Sequence, residues 1–289
     1  MTSETIRIAI PSKGVLCQPA LSMLAKAGFA ALDSPQDTLC ARCEDGRVKY
    51  LFVRAQDVPK YVDSGAAYAG ITGLDMLSET GSRARKVMEL GFGECEIALA
   101  VPEASKVKSV RELAGKRIAT KLPSTARRYL KAAGVKAEIL ELSGATEIAP
   151  AANLADAVID QVQSGRTLRA NRLRKIDTLS SSSAFLAAAR RKERAKEELL
   201  SEIVLSLEGV LRARSLKYLV LNAPSDEKLR RILRVLPSME SPTLMKLAKK
   251  GEWAVQTVVE SRQIPSVVRR VKLAGGKDML VMPLEKVIP

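Results

Sequence analysis

The stretch from Asn153 to Leu168 brings two carboxylates, a glycine-centred turn and a hydroxyl together in a short span. Val158, Ile159 and Val162 supply the β-branched content of a buried strand, and Ser164-Gly165 breaks it. Thr167 stands where it would cap a helix through Leu168, Arg169 and Ala170. Such a loop turns backbone N–H groups toward solvent at the positive end of a helix dipole, where they lack intrahelical partners. Anion capture is the chemistry this suits, phosphate above all. Asp156 and Asp160 cannot bind the phosphate itself, but beside it they suit ribose hydroxyls or a divalent cation. A phosphorylated sugar satisfies both ends. On the loop alone an ordinary strand-to-helix turn with solvated aspartates remains open, because short Gly/Ser/Thr motifs recur by chance.

Composition narrows the chemistry further. The 289 residues include no histidine, which removes the commonest general base, the commonest zinc ligand and any Ser-His-Asp triad. Carboxylates, cations and positioning must suffice. A net charge of +15 suits nucleic acid, small phosphorylated substrates or mere solubility. With aromatics at 3% and no basic-aromatic stripe, the stacking platforms for single-stranded nucleic acid are missing, so phosphorylated metabolites fit better. Cys40-Ala41-Arg42-Cys43 has metal or redox spacing, yet no second pair completes a four-ligand site. Cys17, Cys40, Cys43 and Cys95 are expected to be free thiols. The length suggests two or three domains, the absence of a long uncharged run argues against a membrane span, and Met1-Thr2-Ser3-Glu4 shows no signal-peptide pattern. The expected place is the cytoplasm.

Alternating elements must position these groups. Ile6 to Pro11 reads as a strand, Ser12-Lys13-Gly14 as a cationic turn, and Gln18 to Ala27 as a helix stopped by Gly28. Lys13 ends a strand, where ligands meet α/β sheets, although a solvated loop lysine is the plainer alternative. Tyr50 to Arg54 is a strand, Asp57 to Val62 begins a helix, and Ala67 to Ile71 is a strand leading into Thr72-Gly73-Leu74-Asp75. Gly70 and Gly73 permit close approach to a ligand, or serve the turn alone. Strands over Glu96 to Val101, Arg117 to Thr120 and Ala137 to Leu142 surround a helix from Thr125 to Ala133. Ser124 is its expected N-cap, and Lys121, Arg127 and Arg128 make its start basic enough for a second phosphate contact. Ser180 to Ala187 reads as a strand returning to the first lobe, and Lys192 to Arg214 as a long amphipathic helix bridging domains. The pattern argues for mostly parallel sheets. From Tyr218 to Met282 the order is β-α-β-β-α-β, the split βαβ or ferredoxin-like layout.

An ordered set of motifs, running nearly end to end, resembles the long-form ATP phosphoribosyltransferase family. It includes Arg7 to Gly14, Phe52 to Ala55, Gly70 to Gly73, Leu90 to Gly93, Gly115 to Lys121, Leu154 to Ala157, Ser164 to Leu168, Glu240 to Thr243 and Val281 to Lys286. The resemblance implies an α/β fold with a two-lobed periplasmic-binding-protein-like catalytic core and a C-terminal ferredoxin-like (βαββαβ) regulatory domain. Residues 1–95 plus 179–211 would form lobe I, 96–178 lobe II, and 212–289 the histidine-binding domain. It implies the first step of histidine biosynthesis, in which ATP and phosphoribosyl pyrophosphate combine, with magnesium, inhibition by histidine, and a homo-oligomer (dimer or hexamer). Phosphoribosyl pyrophosphate would be held by Asp156, Asp160, Ser164, Gly165, Arg166, Thr167 and Leu168, with the two aspartates near the metal. ATP would meet Lys13, Gly14, Arg54, Gly73, Asp75 and Lys121. Lys13, Arg54, Asp156 and Asp160 would serve catalysis, and Asn222, Ser241 and Thr243 would bind histidine. In two places the chain departs from the pattern. Val15 and Thr38 stand where many relatives carry arginines that help bind phosphates, leaving open a catalytically weakened relative that acts as a nucleotide- or histidine-binding regulatory subunit.

Overall fold

A computed structural model describes residues 5–237 and 241–288, and within it the chain divides into two compact units, Met1–Ala25 with Phe29–Leu200 and Lys26–Gly28 with Ser201–Pro289. Glu240 of the Glu240 to Thr243 motif lies outside the described residues.

The first unit begins β1 (Ile6–Pro11), α1 (Cys17–Ala27), β2 (Cys40–Arg42), β3 (Val48–Val53), α2 (Val58–Asp63), β4 (Ala69–Gly73), α3 (Leu74–Thr80) and β5 (Arg85–Glu89). It continues β6 (Cys95–Pro102), β7 (Arg117–Thr120), α4 (Pro123–Ala133), β8 (Glu138–Glu141), β9 (Ala157–Val162), α5 (Arg166–Ala170), β10 (Leu173–Ser182) and β11 (Ala184–Ala188). Two sheets result, ordered β2-β3-β1-β4-β11-β5 and β10-β6-β9-β7-β8. The strands at their centres are apolar on both faces, as strands covered on both sides must be. Ile6, Ile8, Ile10 and Tyr50 anchor the first core, while Ile97, Leu99, Ile118 and Ile159 anchor the second against Leu122, Ala126 and Leu130. Each large aliphatic side chain so buried contributes roughly 1.5–3 kcal/mol. The buried Tyr50 hydroxyl is satisfied by donating to the Phe29 carbonyl at 2.5 Å.

The expected mostly parallel arrangement is corrected to mixed sheets. β1 pairs in parallel with β3 and β4, and β7 with β8 and β9, but β6 is antiparallel to both β9 and β10, and β11 to both β4 and β5. The chain crosses between the sheets twice, once between β5 and β6 and again at Ser183, and the strand entered after each crossing, β6 or β11, runs antiparallel to its neighbours. The strand expected over Ser180 to Ala187 is therefore two strands in two different sheets.

Helix starts also differ from expectation. α4 has Leu122 at its N-cap with no side-chain bond, so Ser124 is not the cap. Glu79 of α3 takes that part, accepting from the amides of Ser124 at 2.7 Å and Thr125 at 2.8 Å. A carboxylate already sits where a second phosphate contact was expected, and Arg128 turns aside to donate to the Ser78 carbonyl at 3.0 Å. At α5 the N-cap is Gly165 with φ of 68°, and Thr167 lies inside the helix.

In the second unit, α6 (Arg194–Arg214), which starts in the first, is followed by β12 (Leu216–Ala223), α7 (Asp226–Val235), β13 (Thr243–Lys246), β14 (Trp253–Glu260), α8 (Ile264–Leu273) and β15 (Lys277–Pro283). Sheet order β13-β14-β12-β15 is the ferredoxin-like arrangement the element order implies. Leu219, Leu221, Val255 and Val259 form the core with Leu229, Ile232, Val267 and Val271 of the helices.

Replacing Glu79 with alanine should cost about 1–2 kcal/mol, the loss of a charged partner at a helix N-terminus. Hydrogen exchange at Ser124 and Thr125 is the readout. Unchanged protection of both amides in Glu79→Ala would show that the carboxylate does not hold them.

Candidate active-site cleft

The cleft opens where strands of both first-unit sheets end. The C-terminal ends of β1, β3 and β4 contribute Lys13, Gly14, Arg54 and Gly73, while β7 and β9 contribute Lys121, Asp160 and the 161–168 segment. Its volume is about 640 Å³, within the range that takes a substrate-sized ligand. Loops at strand ends are where α/β sheets present ligand-binding groups.

At its floor Asp160, only 4% exposed, forms an ion pair with Lys121 Nζ at 2.9 Å. Thr146 Oγ1 donates to its other oxygen, and the Gln161 amide donates to Oδ1 at 2.6 Å. A buried carboxylate needs such partners. Next to it Gln161 Nε2 donates to Asp75, which is 7% exposed, and Ser182 Oγ donates to Asp75 Oδ1 at 2.7 Å. The Asp75 amide in turn donates to Ser182 Oγ at 3.0 Å. One chain of bonds thus runs from Lys121 through Asp160 and Gln161 to Asp75, tying β9 to the start of α3. Gly73 belongs here for a steric reason, since a Cβ would overlap Asp75 Oδ1. Gly70 serves packing rather than a ligand, because a Cβ there would meet Val58 Cγ1 at 2.5 Å.

The expected anion loop stands on the same cleft. Gly165 turns the chain in the left-handed region, and Ser164, Arg166, Thr167 and Leu168 line the space with it. The Arg169 guanidinium donates to the Ser164 carbonyl at 3.1 Å and stabilises the turn from behind. First-turn amides of any helix lack intrahelical acceptors; here the Arg166 amide donates to Ser164 Oγ at 3.4 Å, and the loop shares the cleft with Lys13, Arg54, Lys121 and Arg166.

Asp156 is not brought to the cleft. It precedes β9, at the opposite end of the strand from the loop, and accepts from the Arg117 amide at 2.8 Å. Six strand residues at about 3.3 Å each separate them. Asp160 lies four residues along from Asp156, a step of about 3.3 Å each in extended chain, and Asp156 is turned to the Arg117 amide while Asp160 holds Lys121, so the two do not meet as a magnesium pair. Among the described residues no group of three His, Cys, Asp or Glu side chains could hold a metal ion. Val15 lies on the cleft with 63% of its surface exposed, while Thr38 is folded into a turn in which its hydroxyl donates to the Cys40 carbonyl at 2.9 Å. Lys13 and Arg54 line the cleft with Val15, whereas Arg42 of β2, opposite Lys49 of β3, is not among the cleft residues.

Glu147, Gln161, Gln56 and Cys95 also line the cleft, and no motif in the sequence marks them as site residues. Burial, then the negative charge of Asp75, pushes the Cys95 thiol up to about 11. The four cysteines are free, as expected.

In the second unit Asn222 and Thr243 share the sheet face that α7 and α8 leave uncovered, since both alternate with the core positions. They stand two strands apart in the order β13-β14-β12, with Asn222 Nδ2 donating to Asp278 at 3.1 Å and Ser241 exposed just before β13.

Two mixed α/β sheets, joined by two crossings and facing each other across a cation-rich cleft at strand ends, define a two-lobed binding-protein class. The solved structure of a histidine kinase sensor domain with similarity to periplasmic binding proteins shares that fold, at TM-score 0.50 and 12% identity over 74% of this chain and 93% of that one. The chain belongs to the ATP phosphoribosyltransferase family, whose profile matches residues 54–209, with a second profile, described as the HisG C-terminal domain, matching 213–286. It is 41% identical to the ATP phosphoribosyltransferase of Methanococcoides burtonii and 39% identical to that of Methanosarcina barkeri, each across 98% of this chain and all of the relative. Among solved structures, the ATP phosphoribosyl transferase (HisG:HisZ) complex from Thermotoga maritima is similar at TM-score 0.62 and 28% identity, over 71% of this chain and 99% of that one. No helix among the described residues is long and apolar enough to cross a membrane.

Lys121→Met should destabilise the protein by about 2 kcal/mol, because Asp160 is left buried without its cation, and Lys121→Met/Asp160→Asn should recover part of that loss. Denaturant melting checks both; a double variant no more stable than the single one contradicts the pairing. Alkylation of Cys95 should stay slow at pH 8 and accelerate only as pH approaches the raised thiol value, because the thiolate is the reactive form. Peptide mass spectrometry after iodoacetamide reads this directly, and modification at pH 8 as fast as that of free cysteine contradicts it.

Proposed function

We propose that the chain condenses ATP, through adenine N1, with phosphoribosyl pyrophosphate to give N1-(5-phosphoribosyl)-ATP and pyrophosphate, the first step of L-histidine biosynthesis. The observation that carries this reading is the cleft itself, with the Ser164–Leu168 loop on one side and Lys13 and Arg54 on the other. In this assignment the 5-phosphate of the sugar sits on the loop, and ATP enters past Lys13, Gly14, Arg54 and Asp75. The bond from the anomeric carbon to pyrophosphate breaks, its electron pair leaves with the pyrophosphate, and adenine N1 forms the new bond. Charge grows on the leaving group and oxocarbenium character on the sugar, so the work required is alignment and cationic stabilisation rather than strong base catalysis. A chain without histidine can perform it. Asp160, with its lone pairs engaged by Lys121, Thr146 and Gln161, positions the strand end beneath the loop.

The aspartate pair does not fit a protein-built magnesium site, so magnesium in this proposal accompanies the substrate phosphates, the way this ion is commonly carried. The proposal extends to a homo-oligomer (dimer or hexamer) inhibited by histidine. Its support is the uncovered face and edges of the second-unit sheet, where Met245 is 52%, Leu280 59% and Met282 40% exposed. Histidine at Asn222, Ser241 and Thr243 would need another surface to enclose it, which a second copy would supply.

A second reading has its own observation. With Val15 exposed on the cleft and Thr38 bound into a turn, the two arginines that the family resemblance implies at these positions are missing, which suits a weakened relative that binds nucleotide or histidine and regulates a partner. Purified protein mixed with ATP, phosphoribosyl pyrophosphate and magnesium should show growing nucleotide absorbance. No turnover across several salt and metal conditions rejects the enzyme reading, and activity appearing only in Val15→Arg/Thr38→Arg supports the second. Thr167→Ala should raise the KM for phosphoribosyl pyrophosphate about 10–100-fold, the value of a hydrogen bond to a charged group. An unchanged KM contradicts the loop assignment. Millimolar histidine should raise the melting temperature by mass action, and no shift counts against the regulatory site.

A further inference from the structure

At the pole of the first sheet away from the cleft, β1 and β4 begin and β11 ends, and a hollow of about 710 Å³ opens there. Arg7, Arg83, Arg190 and Arg191 line it. The acids nearby are already engaged. Asp63 accepts from Ser82 Oγ and the Arg83 amide, each at 3.1 Å, and Glu193 pairs with Lys196 at 2.6 Å. Among the described residues no carboxylate makes an ion pair with the four guanidinium groups, although Arg191 exerts a longer-range pull on Glu193. Guanidinium groups gathered round one hollow repel one another, and a multiply charged anion relieves that repulsion while accepting forked hydrogen bonds. All four arginines are exposed, so an incoming anion would reach them without breaking an ion pair among the described residues.

We propose that this hollow binds a polyphosphate group, and that it reads the phosphates alone. Tyr68 lines it but is only 5% exposed, and Lys196 Nζ already stands 5.7 Å from its ring centroid. Tyr68 therefore offers no open face on which a base could stack. The phosphates of a nucleoside triphosphate and those of inorganic tripolyphosphate are equivalent ligands at this pole. The site is distinct from the cleft, which lies at the other ends of β1 and β4, and does not depend on the reaction assigned there.

The test is isothermal titration with inorganic tripolyphosphate at physiological ionic strength, on the full chain and two variants. One variant, Lys13→Ala/Arg54→Ala, weakens the cleft; the other, Arg83→Ala/Arg190→Ala/Arg191→Ala, removes the pole. The full chain should bind at two sites, the cleft variant should keep the pole site, and the pole variant should lose it while keeping its melting temperature and basal turnover. On the cleft variant, ATP and tripolyphosphate should bind within about threefold of each other, and Arg→Lys at the same three positions should retain a weakened site, since lysine keeps the charge and loses the fork. A pole variant that titrates like the full chain overturns the proposal, as does a cleft variant that binds nothing. ATP binding the cleft variant more than tenfold tighter than tripolyphosphate overturns recognition by phosphate alone. Failure of the cleft assignment would leave the pole titration in place, so the two outcomes are separable.

Discussion

A carboxylate as buried as Asp160 has to be met by donors on every side, and the cleft is built around meeting it. Lys121 supplies charge from the end of β7, Thr146 a hydroxyl from the loop before β9, and the Gln161 amide a bond from the next residue. The same Gln161 reaches Asp75, which Ser182 also holds. The consequence is mechanical. Strand ends from two sheets are joined by polar bonds at the floor, so the 164–168 loop stands on a fixed base. Positioning of this kind is what a glycosyl transfer without a strong base requires.

The packing around the floor explains why it stays in place. Glu79 of α3 caps α4, and Arg128 of α4 bonds back to the end of α3, so helices from the two sheets are linked in both directions. Gly73 leaves room for Asp75 and Gly70 lets α2 settle on β4. Close approach within the protein uses both glycines. The cations Lys13, Arg54 and Arg166 line the rim above, where they can follow a ligand's charge.

Much of this was legible in the residues, and the failures have physical causes. The ferredoxin-like unit was readable because β12 and β14 alternate buried and half-exposed positions and α7 keeps Leu229 and Ile232 on one side. The turn into α5 was readable from Ser164-Gly165 after a β-branched run. β10 escaped because Leu173–Ser182 is largely exposed and two bulges, at Lys175/Asp177 and Thr178/Ser180, break its alternation. Strand direction was hidden as well, since nothing local marks where a chain crosses between sheets. Asp156 looked like a partner of Asp160 because the two are close in sequence, but an extended strand carries its ends far apart. Glu79 and Gln161 act on residues distant in sequence, and no local pattern announces a cap or a bridge supplied by another element.

The central claim is that the loop amides and the rim cations hold the two ends of one phosphorylated sugar. A crystal structure with phosphoribosyl pyrophosphate bound tests it most directly. The 5-phosphate should lie on the loop of residues 164–168 and the pyrophosphate should point toward the cations of the cleft. A sugar phosphate bound elsewhere, with this loop left empty at saturating ligand, would contradict it.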